Sequence, residues 1–244
     1  MGKEKISVLI PAFNEEENIL LTVKETINVL NALDKDYEVI VIDDGSYDDT
    51  YNIVKKELGQ FSDKVKIEKY IPNQGKGFAI KYGFNFVTGD YVLFLDADLD
   101  LHPSHIFDFL RSIIEQKADV AMGSKRHKDS VVDYPLSRRI LSTGYYFLIR
   151  ILFGLSVKDT QTGFKLFKYE ALKKSISKAV IKKFAFDLEL LVILHKFGYS
   201  ITECPVSLKS TRKYYNRIGL KDIFYTLWDT IAIFYRLHIL KYYD

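Results

Sequence analysis

The chain has 244 residues, enough for one large α/β domain or two small ones with a sizeable core. Its 48% hydrophobic and 27% charged residues exclude a disordered chain or a fibrous repeat, and the single cysteine, Cys204, excludes a disulfide framework or a cysteine-based zinc cluster and suits a reducing compartment. A net charge of +3, from 35 basic and 32 acidic residues, is too balanced for a nucleic-acid binder, but six basic residues between Lys125 and Arg150 face only Asp129 and Asp133 and form a local positive patch.

Residues 6–10 are a short apolar run closed by Pro11, which predicts a first strand; Lys3, Glu4 and Lys5 before it carry no signal-peptide pattern. Residues 15–33 have helical spacing, with Ile19, Val23, Ile27 and Leu30 on one face and Asn14 placed as the N-cap. Strand signals follow at 37–42, 65–70, 91–95 and 120–122, interleaved with helices at 48–58, 76–87 and 103–116. Beyond them, 136–153 reads as a helix apolar nearly all round, 163–168 as a strand, 186–197 as a helix, 201–206 as a strand and 220–240 as a long final helix. This alternation predicts an α/β fold with a mostly parallel twisted sheet and helices on both faces. The expected organisation is one domain over 1–211 with a C-terminal amphipathic helical extension over 212–244.

In such sheets ligands bind beyond the carboxyl ends of the strands. The polar clusters 14–17, 43–46 and 96–100 each follow a strand and should meet on one rim. Asp96-Ala97-Asp98 ends the most apolar strand, and alternation points both carboxylates to one side. Such a pair suits Mg²⁺ or Mn²⁺ bridging substrate phosphates, or else an acidic turn capping the helix at Pro103; Asp100 adds a third carboxylate. Asp43-Asp44-Gly45-Ser46 can offer a carboxylate to a nucleobase N–H or ribose hydroxyls, or cap the next helix. Asn73-Gln74-Gly75-Lys76-Gly77 allows close backbone approach with Lys76 at a helix start, like a phosphate cradle but without P-loop spacing. Pro11 to Glu16 sets a turn and a helix N-terminus where a nucleotide could pack.

Taken in order, PAFNEEEN, VIDDGSYDDT, NQGKGFA, GDYVLFLDADL and GSKR resemble the family 2 glycosyltransferases of GT-A fold, within them the polyprenyl-phosphate sugar synthases, over about residues 6–208. DTQTGFKLF (159–167), FDLELL (186–191) and ECPV (203–206) are similar to the dolichyl-phosphate glucosyltransferase branch, which favours glucose from UDP-glucose over mannose from GDP-mannose. By position, the resemblance implies that Pro11, Phe13, Glu15 and Lys76 line the nucleotide sugar and that Asp44, with Asp43, meets the base or ribose. It implies that Asp96 and Asp98 hold Mg²⁺ or Mn²⁺ at the diphosphate. Phe13 stands where relatives often carry Tyr, and Asp100 where several mannosyl relatives have Gln.

The reaction so implied is inverting transfer of a hexose from a nucleoside-diphosphate sugar to dolichyl or another polyprenyl phosphate, giving a β-linked lipid-phosphate sugar. The acceptor oxygen is already anionic, so no strong general base is required. Lys125, Arg126, Arg138 and Arg139, with Ser142, would pair with the acceptor phosphate, and Arg126 and Arg138 join Asp96 and Asp98 as the expected catalytic set. Gln161, Asp187 and Glu189 are expected to position the sugar or the acceptor. The alternatives are a mannose synthase using GDP-mannose, a transferase acting on a sugar hydroxyl, and a non-catalytic nucleotide-sugar binding subunit.

A polyprenyl acceptor lies in a bilayer. Residues 220–240 would reach about 32 Å as a helix, but Asp222, Asp229 and Arg236 oppose a span at roughly 2.5–3.5 kcal/mol each. They form one stripe opposite a wide apolar face, the pattern of a helix lying in the interface or packed on a partner. Tyr225, Trp228, Tyr235, Tyr242 and Tyr243 suit an interfacial zone. The expectation is a peripheral protein on the cytoplasmic face of a membrane, with a homo-oligomer as the rival use of this face and no nucleic-acid partner.

Overall fold

The computed structural model describes residues 3–58, 62–132, 136–183, 185–208 and 220–244, without the side chains of 62, 136–140 and 220–222. The sheet has seven strands: β1 (Lys5–Ala12), β2 (Asp36–Asp43), β3 (Val65–Lys69), β4 (Tyr91–Phe94), β5 (Val120–Ser124), β6 (Lys165–Lys168) and β7 (Ile201–Pro205). Their order is β3-β2-β1-β4-β6-β5-β7. All pairings are parallel except those of β6, which runs antiparallel to both β4 and β5. The mostly parallel sheet expected from the alternation is therefore present, with one reversed strand near its centre.

Strand β1 is apolar with little alternation because both of its faces are covered. Leu9 enters one core with Ile40 and Ile42, while Ile6, Val8 and Ile10 enter the other with Val39 and Val41. Helices α1 (Ile19–Asn31), α2 (Thr50–Glu57) and α4 (Ile106–Glu115) supply the second core, through residues such as Val23, Val54 and Phe109. Helices α3 (Lys76–Phe84), α5 (Leu136–Phe153), α6 (Tyr169–Ile176), α7 (Phe186–Lys196) and α8 (Leu220–Phe234) cover the other face. Helix α6 was not anticipated. It follows β6 without a linker, and its eight residues give too short an apolar pattern to stand out.

Three helix ends differ from expectation. Asn14 is not a helix cap: it has φ 53°, and α1 starts at Ile19. Its N–H donates to Ser46 Oγ (3.0 Å), and its Oδ1 accepts from Tyr47 N–H (3.0 Å). Glu15 N–H donates to Thr50 Oγ1 (2.8 Å), so the loop after β1 is stitched to the loop after β2 instead of winding into a helix. The helix expected at 103–116 opens with a 3₁₀ turn over Pro103–His105, and α8 ends in a π turn over Tyr235–Ile239.

The C-terminal segment is integral to the larger body. Ile233 and Tyr243 are fully buried in the first core. Tyr243 therefore has no interfacial role: its hydroxyl donates to Glu189 Oε1 (2.6 Å). Glu189, also fully buried, accepts in addition from Val180 N–H (2.8 Å), Ile181 N–H (2.7 Å) and Arg236 Nη1 (3.3 Å). Burying a carboxylate is costly unless its oxygens are hydrogen-bonded, and these donors meet that need. Tyr243→Phe removes one of them and is expected to lower unfolding stability by about 1.5–3 kcal/mol, measured by denaturant titration.

Candidate active site

The carboxyl ends of β1, β2 and β4 form one rim, as the fold class requires. Strand β4 stops at Phe94, and the next turn is fixed from below by Thr22 Oγ1 donating to the Ala97 carbonyl (2.7 Å). Asp96, Asp98 and Asp100 all line one small cavity with Lys125, Gly163 and Phe164. Asp96 and Asp98 thus line the same cavity.

Asp96 sits against the α-carbon of Gly163. A Cβ on residue 163 would lie 1.7 Å from Asp96 Oδ2, so only glycine admits the carboxylate there. Its Oδ1 accepts from Lys76 Nζ at 2.7 Å. Lys76 Nζ also lies 3.6 Å from Asp187 Oδ2, and Asp187 Oδ1 accepts from Lys165 Nζ at 2.6 Å. Lys165 is fully buried and donates as well to the Thr162 carbonyl. Four side chains thus form an alternating row of charge, Lys165–Asp187–Lys76–Asp96. Burial would push the Asp96 carboxyl up, but Lys76, with Lys165 and Lys125 behind it, holds it below the usual carboxylate range. Burial draws Lys165 down from the usual lysine range, opposed by Asp187. Lys76 goes the other way: burial is outweighed by Asp187 and Asp96, which keep its ammonium charged.

Among the described residues, no three His, Cys, Asp or Glu side chains form a metal cage. Mg²⁺ and Mn²⁺ do not need one, since one or two carboxylates plus substrate phosphates suffice. The donor set here fits that chemistry. Asp96 and Asp98 line one cavity, Asp96 is kept ionised, and a cation, the Lys76 ammonium, already rests on it.

The acidic pair at the end of β2 is engaged by donors within the protein. Asp44 is buried, and its carboxylate accepts from Asn73 Nδ2 (2.9 Å), Gln74 N–H (2.7 Å) and Gly75 N–H (2.8 Å). Asp43 is buried against Lys69 (2.9 Å) and Ser46 N–H (2.8 Å). Together these contacts fix the loops that carry Lys76 and Tyr47. Strand-end alternation could not reveal this, because the donors come from a loop about thirty residues away. Glu189 likewise belongs to the C-terminal anchor and not to the cleft.

Other expected residues lie nearer the rim. Phe13 is partly exposed and meets the highly exposed Tyr47 edge to face (centroids 5.9 Å apart). Pro11 is the penultimate residue of β1, and Glu15 Oε2 accepts from Asn18 Nδ2 (3.0 Å). Arg126 Nη1 donates to Ser142 Oγ (3.0 Å) and Thr143 Oγ1 (3.1 Å), with its guanidinium over the Tyr146 ring (5.3 Å). Lys125 and Gln161 are tied by their backbone N–H groups to Asp159 (3.0 and 3.2 Å), which also accepts from Thr162 Oγ1 (2.6 Å). The side chains of Arg138 and Arg139 lie outside the described residues.

A profile of glycosyl transferase family 2 matches residues 7–176. The chain belongs to that family. The human dolichyl-phosphate beta-glucosyltransferase is 33% identical over 217 residues, covering 84% of this chain and 67% of that protein. The Saccharomyces cerevisiae protein of the same name is 32% identical over 221 residues, covering 83% and 66%. The chain thus spans about two thirds of the length of these relatives. Among solved structures, mannosyl-3-phosphoglycerate synthase from Rubrobacter xylanophilus superposes with a TM-score of 0.72 at 16% identity, covering 98% of this chain and 75% of that one. Glucosyl-3-phosphoglycerate synthase from Mycobacterium tuberculosis, in complex with Mn²⁺, UDP-glucose and phosphoglyceric acid, gives 0.69 at 20% identity, covering 95% and 79%. These likenesses establish the GT-A fold, and the chain is a glycosyltransferase.

Sequence reasoning missed two residues of this site. Lys165 carried a signal, a lysine inside the apolar strand Gly-Phe-Lys-Leu-Phe, where burial demands a partner. Tyr47 was legible as an aromatic directly after Asp43-Asp44-Gly45-Ser46. Gly163→Ala is expected to leave the fold intact by circular dichroism while displacing Asp96. Transfer activity should then fall by about a hundredfold in a steady-state assay.

Proposed function

We propose that this glycosyltransferase moves glucose from UDP-glucose to dolichyl or another polyprenyl phosphate, with inversion to a β-linked product, at the cytoplasmic surface of a membrane. The observation that carries this reading is the double use of α5. Its inner side holds Arg126 through Ser142, Thr143 and Tyr146, beside the acidic cavity. Its outer side leaves Leu141, Phe147 and Ile151 exposed, Ile151 at 80%. An acceptor with an anionic head and an apolar tail matches both sides.

Helix α8 extends that face. Asp229 is half-buried, Arg236 just beyond the helix pairs with Glu189, and Thr230 Oγ1 meets Tyr145 Oη of α5 at 3.0 Å. Phe224, Leu227, Trp228, Ile231 and Tyr235 are left outward at helical spacing, Trp228 at 64% exposure. Among the described residues no helix is long and apolar enough to cross a membrane. A large outward apolar stripe with aromatic residues suits insertion into the headgroup region.

At the cleft, Mg²⁺ or Mn²⁺ would be held by Asp96 and Asp98 and would stabilise the charge that develops on the departing diphosphate. Phe13 and Tyr47 offer an aromatic ledge for the base, and Lys76 and Lys125 border the diphosphate. Arg126, oriented by two hydroxyls, presents guanidinium donors to the acceptor phosphate and aims its oxygen at the sugar. Arg138 and Arg139 belong to the same basic segment. Asp187 has a lysine on each carboxylate oxygen, which favours an acceptor that needs no base over a sugar hydroxyl. The names of the relatives support the sugar and the lipid phosphate over GDP-mannose.

The deciding assay offers radiolabelled UDP-glucose and GDP-mannose with a polyprenyl phosphate, with Mn²⁺ or with EDTA. Labelled lipid is expected from UDP-glucose with metal alone; label from GDP-mannose only, or undiminished transfer in EDTA, overturns the reading. In the same assay Arg126→Ala should lower kcat/KM for the lipid phosphate by roughly 10- to 150-fold, the loss of one charge-assisted contact. Because Ile233 and Tyr243 are core residues, membrane attachment is tested by surface substitution instead of truncation. Trp228→Ser with Ile231→Ser should keep the melting temperature and weaken liposome cosedimentation by roughly tenfold or more.

A further inference from the structure

The ammonium of Lys76 sits where the proposed metal has to act. It is 2.7 Å from Asp96 Oδ1, while Asp96 Oδ2 is lodged against Gly163. A divalent cation that uses Asp96 must therefore meet Lys76 there. Lys76 has a second seat close by: Asp187 Oδ2 is 3.6 Å away, and the other oxygen of that carboxylate, Oδ1, is held by the fully buried Lys165. The backbone around Lys76 is clamped. Gly75 packs on the Lys182 carbonyl, Gly77 packs on Phe186, and Phe78 N–H donates to Lys182 O (3.2 Å). Only the side chain is left to move, and a short swing keeps it paired.

The charge balance points the same way. Four carboxylates, Asp96, Asp98, Asp100 and Asp187, share the site with three ammonium groups, Lys76, Lys125 and Lys165. A dication alone would turn this small negative excess into a positive one beside three lysines. A dication together with the doubly charged diphosphate of a nucleotide sugar leaves the balance as it was.

We propose that Lys76 is a resident counter-ion that competes with the divalent cation for Asp96, moves toward Asp187 when the site loads, and so makes metal and nucleoside diphosphate bind together instead of separately. The inference rests on the donor and metal assignment proposed above and adds the order in which they load. Coupling of this kind is reciprocal: each ligand tightens the other by the same factor.

The test measures Mn²⁺ binding to the whole chain by electron paramagnetic resonance of the free ion, with and without saturating UDP. In the parent protein UDP should tighten Mn²⁺ binding by about 5- to 150-fold. Lys76→Met should tighten Mn²⁺ binding in the absence of UDP and shrink the coupling, whereas Lys76→Arg, which keeps the cation, should restore weak binding of the metal alone. Equal or weaker Mn²⁺ affinity in Lys76→Met without UDP overturns the proposal. The parent protein decides even if that variant fails to fold, since Mn²⁺ and UDP that bind without coupling also overturn it. If the parent protein binds no Mn²⁺ even with UDP, the metal assignment itself falls, and this inference falls with it.

Discussion

The seat of the Asp96 carboxylate on Gly163 is the constraint around which the cleft is built. Asp96 leaves β4 at the sheet rim, and Gly163 arrives just before β6, the one strand that runs against its neighbours. The reversal brings Lys165 into the centre of the sheet, fully buried beside the start of α7. A buried ammonium is tolerated only with a close anionic partner, and Asp187 supplies it. The row continues through Lys76 to Asp96, so the position of one surface carboxylate depends on a buried ion pair two residues behind it.

The loops around this row are held by side chains that look catalytic in isolation. Asp44 gathers the three donors of the Asn73–Gly75 turn, and through that turn sets where Lys76 begins its helix. Asn14 and Glu15 are bonded to the loop after β2 and keep Phe13 and Tyr47 in contact. Preorganisation of this kind matters in a glycosyltransferase, because a donor held in place before reaction removes much of the entropic barrier. Acidic residues that shape loops serve that end by fixing the backbone around the cleft.

The far side of the molecule carries an exposed apolar face. A surface helix usually turns its apolar face inward and its charges outward. Here Arg236 pairs with the buried Glu189, while Trp228 and Ile231 face away from the body. The π turn after α8 lies beside the Glu189, Arg236 and Tyr243 cluster that ties down the end of the chain. Helix α5 joins both regions, with Arg126 docked on its inner side and Ile151 exposed on its outer side.

Much of this was legible in the sequence, because burial on two faces, helical periodicity and strand-end polar clusters are local signals. They placed every strand, most helices, and the convergence of Asp96 and Asp98 on one rim. The order of the motifs also pointed to the family that the profile match establishes. What the tertiary structure alone decided is the partner of each polar group. Asp44 and Glu189 sit in stretches that read as ligand-binding, yet their donors come from segments about thirty and fifty residues away. Lys165 reads in the sequence as one residue of a strand, and the reversed direction of β6 sets it beside Asp187. Periodicity records that a position is buried or exposed, but a charge is satisfied by whichever group folding brings within about 3 Å, and that distance is a property of the packed chain.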